Sequence, residues 1–197
     1  MLKRFLDITV SGLGLLCLSP LFVVLAIWIK YDSLGPVFYR QTRVGRRNRD
    51  FQVYKFRSMQ VGADNKGLIT IGGHDARITH SGYYIRKYKL DELPQLINVF
   101  LGDMSLVGPR PEVRKYVDLY TPEQMHVLDV RPGITDLASI KYRNENELLG
   151  AVDDPEQYYQ NVILPDKLRI NQEYIKKSSL LFDIKIIFKT VVTIFKS

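Results

Sequence analysis

Asp91 and Glu92 are adjacent carboxylates with three cations just upstream, Arg86, Lys87 and Lys89, and an apolar run over 93–101 just downstream. Beyond that run, Gly108-Pro109-Arg110-Pro111 makes a rigid turn bearing a guanidinium that can fork onto phosphate or a carbonyl edge. Acidic residues before an apolar run are also ordinary helix-start signals. The helix N-terminus favours negative charge, and Pro94 suits a first turn because its missing N–H would be unpaired there anyway. A helix is therefore expected to start at this pair. Capping alone gives no role to the flanking cations or to Arg110, whereas an anionic ligand does. Carboxylates serve as nucleophiles in phosphoryl chemistry, and Mg2+ accepts carboxylate and phosphate oxygens together. Asp91 and Glu92 are thus the candidates for nucleophile and Mg2+ ligand, and Asp91 is the metal-ligand candidate carried forward. Glu92, about 100° away on a helix, is a second catalytic candidate free to do a different job.

The longest element available to hold such a site is apolar. The run 8–29 carries no charge and, at about 1.5 Å per residue, reaches across a hydrocarbon core of about 30 Å. A cleaved signal peptide is not expected, because the run is long and no small-x-small site precedes Lys30. Pro20 removes a backbone hydrogen bond near the middle, where the Ser19 hydroxyl can satisfy a freed carbonyl, so a bend is expected at Ser19 and Pro20. Lys3 and Arg4 precede the run, and Lys30, Arg40, Arg43 and Arg46 follow it. Basic residues stay on the cytoplasmic side of a membrane. Basic flanks at both ends favour a helix that enters one leaflet, breaks at Ser19-Pro20 and returns over one that spans.

Alternation over 35–57 around the turn Gly45-Arg46-Arg47-Asn48 reads as a β-hairpin. Its arginine-rich turn suits either solvent or anionic headgroups. The glycines within 62–73 make a flexible loop and match no phosphate-binding glycine pattern. A helix is expected over 79–88, short helices over 113–119 and 122–128, and a long one over 154–176 that Pro165 bends or divides. The stretch 182–195 places Ile184, Ile187, Phe188 and Val191 at helical spacing with Lys185 and Lys189 offset. That pattern suits a basic amphipathic helix, packed on the domain or lying in a membrane interface.

With 197 residues and no internal repeat, the chain holds one domain with a real core. A formal charge of +7 asks for a polyanionic partner: nucleic acid, an anionic bilayer or a phosphorylated substrate. Nucleic acid is disfavoured, because the basic residues form no recognition helix and the aromatics no stacking platform. The single Cys17 excludes an intramolecular disulfide and a cysteine metal cluster, which fits a reducing compartment. His74, His80 and His126 lack zinc-ligand spacing.

The stretch KLDELPQLINVFLGDMSLVGPRPE, residues 89–112, resembles the signature of bacterial initiating sugar transferases, the small monotopic phosphoglycosyl transferases. The resemblance continues through Lys3-Arg4-Phe5-Leu6-Asp7, Ser19-Pro20, Gly35-Pro36-Val37-Phe38, Tyr54-Lys55-Phe56-Arg57-Ser58-Met59 and Arg131-Pro132-Gly133-Ile134-Thr135, covering nearly the whole chain in family order. It implies transfer of a sugar 1-phosphate from a UDP-sugar to polyprenyl (undecaprenyl) phosphate. Asp91 would attack the β-phosphorus, release UMP and hold the phosphosugar in a ping-pong cycle that initiates surface glycan synthesis. Glu92 would help orient the metal or activate the acceptor. Lys55, Arg86, Arg110 and Arg143 would bind diphosphate, uridine or acceptor phosphate. Two positions depart from the commoner family wording: Asp136 stands where many members have glycine, and Lys141-Tyr142-Arg143-Asn144 replaces an Asn-Gly-Arg-like segment.

The expected architecture is α+β: a mostly helical single domain with a short β-hairpin, a re-entrant membrane helix over 1–30, and a catalytic domain over 31–197 ending in an amphipathic helix. The resemblance is to the small, stand-alone form. It implies the cytoplasmic face of the bacterial inner membrane, with an anionic bilayer as partner, and leaves a homodimer open. The competing reading is a non-enzymatic, membrane-anchored basic module in which Asp91 and Glu92 only cap a helix.

Overall fold

The computed structural model describes residues 1–67 and 75–195. Its first element, α1 (Leu2–Asp32), is 31 residues long. Among the described residues it is the one helix long and apolar enough to cross a membrane. The helix is unbroken through Ser19 and Pro20. Pro20 has no N–H to offer the Leu16 carbonyl four residues back, and the Ser19 hydroxyl donates to that oxygen at 2.8 Å instead.

Both ends of α1 are fastened to the same body of the protein. Near its start, Lys3 Nζ donates to Asp183 at 2.5 Å and to the Val107 carbonyl at 2.9 Å. Arg4 reaches the Val99 and Phe100 carbonyls, and Asp7, buried, accepts from the Leu106 N–H at 3.0 Å. Near its end, Asp32 accepts from the Ser81 N–H at 2.9 Å and its hydroxyl at 2.8 Å. Buried Arg57 donates to the Ser33 carbonyl and hydroxyl and to the Pro36 carbonyl, tying down the exit of the helix. Leu13, Leu16, Val23, Val24 and Ile27 stay exposed between these anchors.

Strands β1 (Phe38–Val44) and β2 (Asp50–Phe56) pair antiparallel in register from Phe38 opposite Phe56 to Val44 opposite Asp50, as the alternation predicts. Helix α2 (His80–Lys87) is capped by Thr79, whose hydroxyl accepts from the Gly82 N–H. A side chain on Gly82 would place a β-carbon 1.9 Å from the Ser58 carbonyl oxygen, so α2 rests directly on the strand exit. Helix α3 (Gln95–Leu101) lies along β2, joined to it by buried Asn98. The Asn98 carbonyl oxygen accepts from the Tyr54 N–H at 2.9 Å and its amide donates to the Gln52 carbonyl at 2.7 Å. This side chain completes the outer edge of the hairpin.

After α3 come β3 (Ser105–Val107), the single-turn α4 (Arg114–Val117) and β4 (Gly133–Thr135). Strands β3 and β4 pair parallel, a second sheet that the sequence pattern did not reveal. Three residues are too few to display an alternation. The two strands approach through Gly108 and Gly133: a β-carbon on Gly133 would lie 2.1 Å from the Gly108 nitrogen. The expected helix over 113–119 is thus shorter, and 122–128 is a 3-10 turn, Gln124–Asp129.

Helices α5 (Leu137–Lys141), α6 (Glu145–Gly150), α7 (Pro155–Tyr158), α8 (Leu164–Lys177) and α9 (Leu180–Phe195) complete the chain. A π turn, Tyr159–Ile163, joins α7 to α8 just before Pro165. The ladder widens where proline has no N–H to give, which is the division expected of the long helix. Helix α9 faces both ways. Ile186 is buried and Thr190 bonds Thr135 at 2.7 Å, while Leu181, Ile184, Phe188 and Val191 form an exposed apolar stripe. Ile187 belongs to the packed side.

Candidate active site

The acidic pair does not start α3. Lys89 sits at φ 56°, a left-handed conformation that turns the chain sharply after α2, and Leu90–Glu92 form a 3-10 turn. Pro94 precedes α3 with no side-chain cap, and no acidic residue lies in the first turn of that helix. The reason is Pro94 itself: it cannot bond the Leu90 carbonyl four residues back, and the Leu93 N–H takes that carbonyl instead. Helix capping therefore does not explain the pair.

The two carboxylates are held differently. Both Glu92 oxygens are taken by the Arg110 guanidinium: Nη1 donates to Oε2 at 3.1 Å and Nη2 to Oε1, in a forked pair. Lys55 Nζ lies 3.4 Å from Oε1. Burial acts to raise the Glu92 pKa, but Arg110 and Lys55 outweigh it and hold the group well below the usual carboxylate range. Glu92 in turn raises Arg110, while burial depresses Lys55 against the pull of Glu92. Asp91 is 7% exposed, and its Oδ1 has no hydrogen-bond partner among the described residues. Burial and the neighbouring Glu92 charge push its pKa up, against the opposing influence of Lys55, Arg86 and Lys89. An orphaned buried carboxylate oxygen is costly, and it invites a ligand.

Each partner is positioned from a separate element. Lys55 is on β2, fixed beside the 3-10 turn by the Asn98 link to α3. Arg110 follows β3, and its N–H donates at 2.8 Å to Asp136 Oδ2. Asp136 is completely buried and also caps α5, accepting from the Ser139 N–H. This residue, where the sequence departs from the family wording, latches the Arg110 turn to α5. The signal for it was an aspartate before Leu137-Ala138, a helix-cap pattern. Arg86, half-buried in the last turn of α2, is within electrostatic reach of Asp91 and of Asp75.

Of the residues named from sequence, Asp91, Glu92, Lys55 and Arg110 come together, with Arg86 close by. Arg143 does not join them. It sits half-buried in the turn between α5 and α6 and makes no ion pair or hydrogen bond among the described residues. Sequence reasoning missed Arg77, which grips Asp75 at 2.6 Å and donates to the Ala63 and Gly67 carbonyls. Arg77 thereby clamps both stems of the glycine loop, whose 68–74 portion, with His74, lies outside the described residues.

No group of three or more His, Cys, Asp or Glu side chains among the described residues could hold a metal ion unaided. With Glu92 committed to Arg110, Asp91 Oδ1 is an oxygen at the site with no hydrogen-bond partner among the described residues. One carboxylate oxygen suits Mg2+, which keeps waters and takes its remaining ligands from substrate phosphates.

The site thus sets two carboxylates side by side, Glu92 forked by Arg110 and buried Asp91 with an oxygen that has no hydrogen-bond partner among the described residues. The chain belongs to the bacterial sugar transferase family, which it matches over residues 1–197. It is 40% identical over 198 residues to the UDP-N-acetylgalactosamine-undecaprenyl-phosphate N-acetylgalactosaminephosphotransferase of Aeromonas hydrophila, covering 98% of this chain and 43% of that protein. It is 38% identical over 195 residues to the UDP-glucose:undecaprenyl-phosphate glucose-1-phosphate transferase of Escherichia coli K12, covering 97% of this chain and 39% of that protein. An uncharacterized sugar transferase of Bacillus subtilis is 37% identical, with 96% of this chain and 85% of that protein covered. The chain thus spans about two fifths of the first two relatives and most of the third.

Proposed function

We propose that the protein is a phosphoglycosyl transferase that moves a sugar 1-phosphate from a UDP-sugar to undecaprenyl phosphate, yielding undecaprenyl-diphosphate-sugar and UMP at the start of surface glycan synthesis. The observation that carries the reading is the buried Asp91 Oδ1, without a hydrogen-bond partner among the described residues, near Lys55 and Arg86 and next to the Glu92–Arg110 pair, cations from three parts of the chain. The names of the relatives support the donor and acceptor classes.

In this reading an Asp91 oxygen attacks the β-phosphorus, and the bond from that phosphorus to the bridging oxygen breaks. UMP leaves with that oxygen and its electron pair. An oxygen of undecaprenyl phosphate then attacks the same phosphorus and frees Asp91. Lys55 and Arg110 supply positive charge where the diphosphate is cleaved, and Glu92 keeps the Arg110 fork in place. Asp91 and the substrate phosphates would hold Mg2+, which when bound supplies further charge neutralisation.

The covalent step has a direct test. With Mg2+ and a panel of UDP-sugars but no acceptor, the protein should release one equivalent of UMP in a burst. Its intact mass after acid quench should rise by one sugar phosphate, and Asp91→Asn should do neither. UMP that appears only with acceptor present would instead place the attack on undecaprenyl phosphate.

Helix α1 is read as re-entrant, turning at Pro20 by a kink within a continuous helix rather than by the expected break, with the catalytic domain on the cytoplasmic face. The support is that Lys3 and Asp32, near its two ends, both bond the same domain, which cannot lie on two sides of a bilayer. Cysteines introduced at Lys3 and Lys30 should both be labelled from the cytoplasm; a periplasmic end at either position would mean a span.

A further inference from the structure

The tip of the hairpin faces a groove that the acidic site does not use. Arg46, Arg47, Arg49 and Arg131 line it together with Phe51 and a single carboxylate, Asp103, around a volume of about 250 Å3. Arg46 gives only its Nε, to the Asp129 carbonyl at 2.9 Å, and Arg131 only its Nε, to the Gly102 carbonyl at 2.9 Å. The outer nitrogens of both make no hydrogen bond among the described residues. The side chains of Arg47 and Arg49 make no ion pair or hydrogen bond among the described residues, and both are exposed. Asp103 is partly engaged, accepting from Asn98 Nδ2 at 3.4 Å.

Four guanidiniums around one carboxylate repel one another unless an anion joins them. The backbone is also held awkwardly: Arg47 and Asn48 lie consecutively at φ 59° and 58°, left-handed conformations that residues other than glycine adopt at a cost. Such strain at a charged tip fits a loop shaped for a ligand rather than for its own stability.

The surroundings decide what kind of anion. Gly102, on the groove wall, directly follows exposed Phe100 and Leu101, and a β-carbon on it would lie 3.1 Å from Arg4 Nη2. Arg4 in turn stands between exposed Leu2 and Phe5 on α1. A basic groove opening beside large exposed apolar side chains matches a molecule with a phosphate head and an acyl body. We infer that the groove lined by Arg46, Arg47, Arg49 and Arg131 binds the phosphodiester headgroup of an anionic phospholipid, with Phe100, Leu101 and Phe5 beside its acyl chains.

The test uses the full chain in neutral detergent and short-chain phospholipids that stay soluble. Dihexanoyl phosphatidylglycerol should bind saturably by calorimetry and raise the Tm, more strongly than dihexanoyl phosphatidylcholine or inorganic phosphate. The pair Arg47→Asn and Arg49→Gln keeps a left-handed-tolerant residue at 47 while removing two charges. It should weaken phosphatidylglycerol binding at least about tenfold. UMP release in detergent should stay unchanged, because neither residue belongs to the Asp91 site. If the pair lowers the Tm without lipid, Arg49→Gln alone is the variant to read. Undiminished binding in the variant overturns the assignment. Phosphate binding as tightly as phosphatidylglycerol would make the groove a free-anion site, and equal binding of phosphatidylcholine would make it an apolar contact only; either result also overturns it.

Discussion

The molecule carries two clusters of cations, and they are kept in opposite states. At the acidic site, Lys55 and Arg110 are partly buried and already bound to Glu92, so that their charge is oriented before any ligand arrives. At the hairpin tip, Arg47 and Arg49 are exposed and unengaged. The difference fits the proposed chemistry at the first cluster and the inferred headgroup contact at the second. Preorganised, desolvated charge acts on a transition state at close range, whereas exposed charge is screened over about 8–10 Å and serves to hold a surface. The carboxylate beside each cluster differs as well: Glu92 pairs with its cations, whereas Asp103 at the hairpin tip accepts from Asn98 and forms no ion pair with the arginines among the described residues.

The strongest way to break this division is at Asp91. Asp91→Asn should lower UMP release by at least about 1,000-fold while leaving the thermal melt unchanged; measurable turnover within tenfold of wild type would remove Asp91 from the chemistry. Arg110→Ala should cost about 100-fold in kcat/KM, because it removes the fork that aims charge and leaves Glu92 buried with Lys55 alone.

Glu92→Gln sharpens the comparison through pH. Burial is the first cause and the Glu92 charge the second that keep Asp91 protonated above the ordinary 3.8. Activity needs the ionised carboxylate, so the acidic limb of the pH–rate profile should lie above that value. Removing the Glu92 charge also leaves Lys55, which acts on Asp91, without its carboxylate partner. Both changes favour ionisation, and the limb should move to lower pH; a limb that stays or rises would show that another group controls it. The smallest effect is expected at Arg143, which touches neither cluster. Arg143→Ala should leave kcat/KM within about twofold in a steady-state assay; a larger loss would bring α5 and α6 into the substrate site.

The hairpin and α9 are legible in sequence because each is long enough to display its period, α2 because Thr79 signals a helix start, and the acidic pair because its neighbours are charged. What was not legible depended on contacts far apart in the chain. The sequence placed Asp91 and Glu92 in a helix start, but a missing N–H at Pro94 hands the Leu90 carbonyl to Leu93 and leaves the pair in a 3-10 turn. Sheet β3–β4 is too short for a pattern and is recognisable only through Gly108 and Gly133, which meet across 25 residues. Asp136 was noticed as a departure, yet its partner, the Arg110 N–H, could not be named before the fold was known. Arg143 comes from the resemblance alone, and in the turn between α5 and α6 it makes no ion pair or hydrogen bond among the described residues.

The glycine contact between Gly108 and Gly133 has a mechanical consequence. Gly133 donates to the Pro109 carbonyl at 2.9 Å and Ser105 to the Pro132 carbonyl at 2.8 Å, so the turn bearing Arg110 and the turn bearing Arg131 are bolted together at the backbone. No side chain stands between them to bend or repack. One turn reaches the carboxylate pair and the other the arginine groove, which makes the joint a ruler: a headgroup seated at Arg131 would fix the height at which Glu92 and Asp91 ride over the bilayer. A single β-carbon at either glycine would collide with backbone, 2.5 Å from the Arg131 oxygen or 2.1 Å from the Gly108 nitrogen, so it should displace the Arg110 turn against the Arg131 turn.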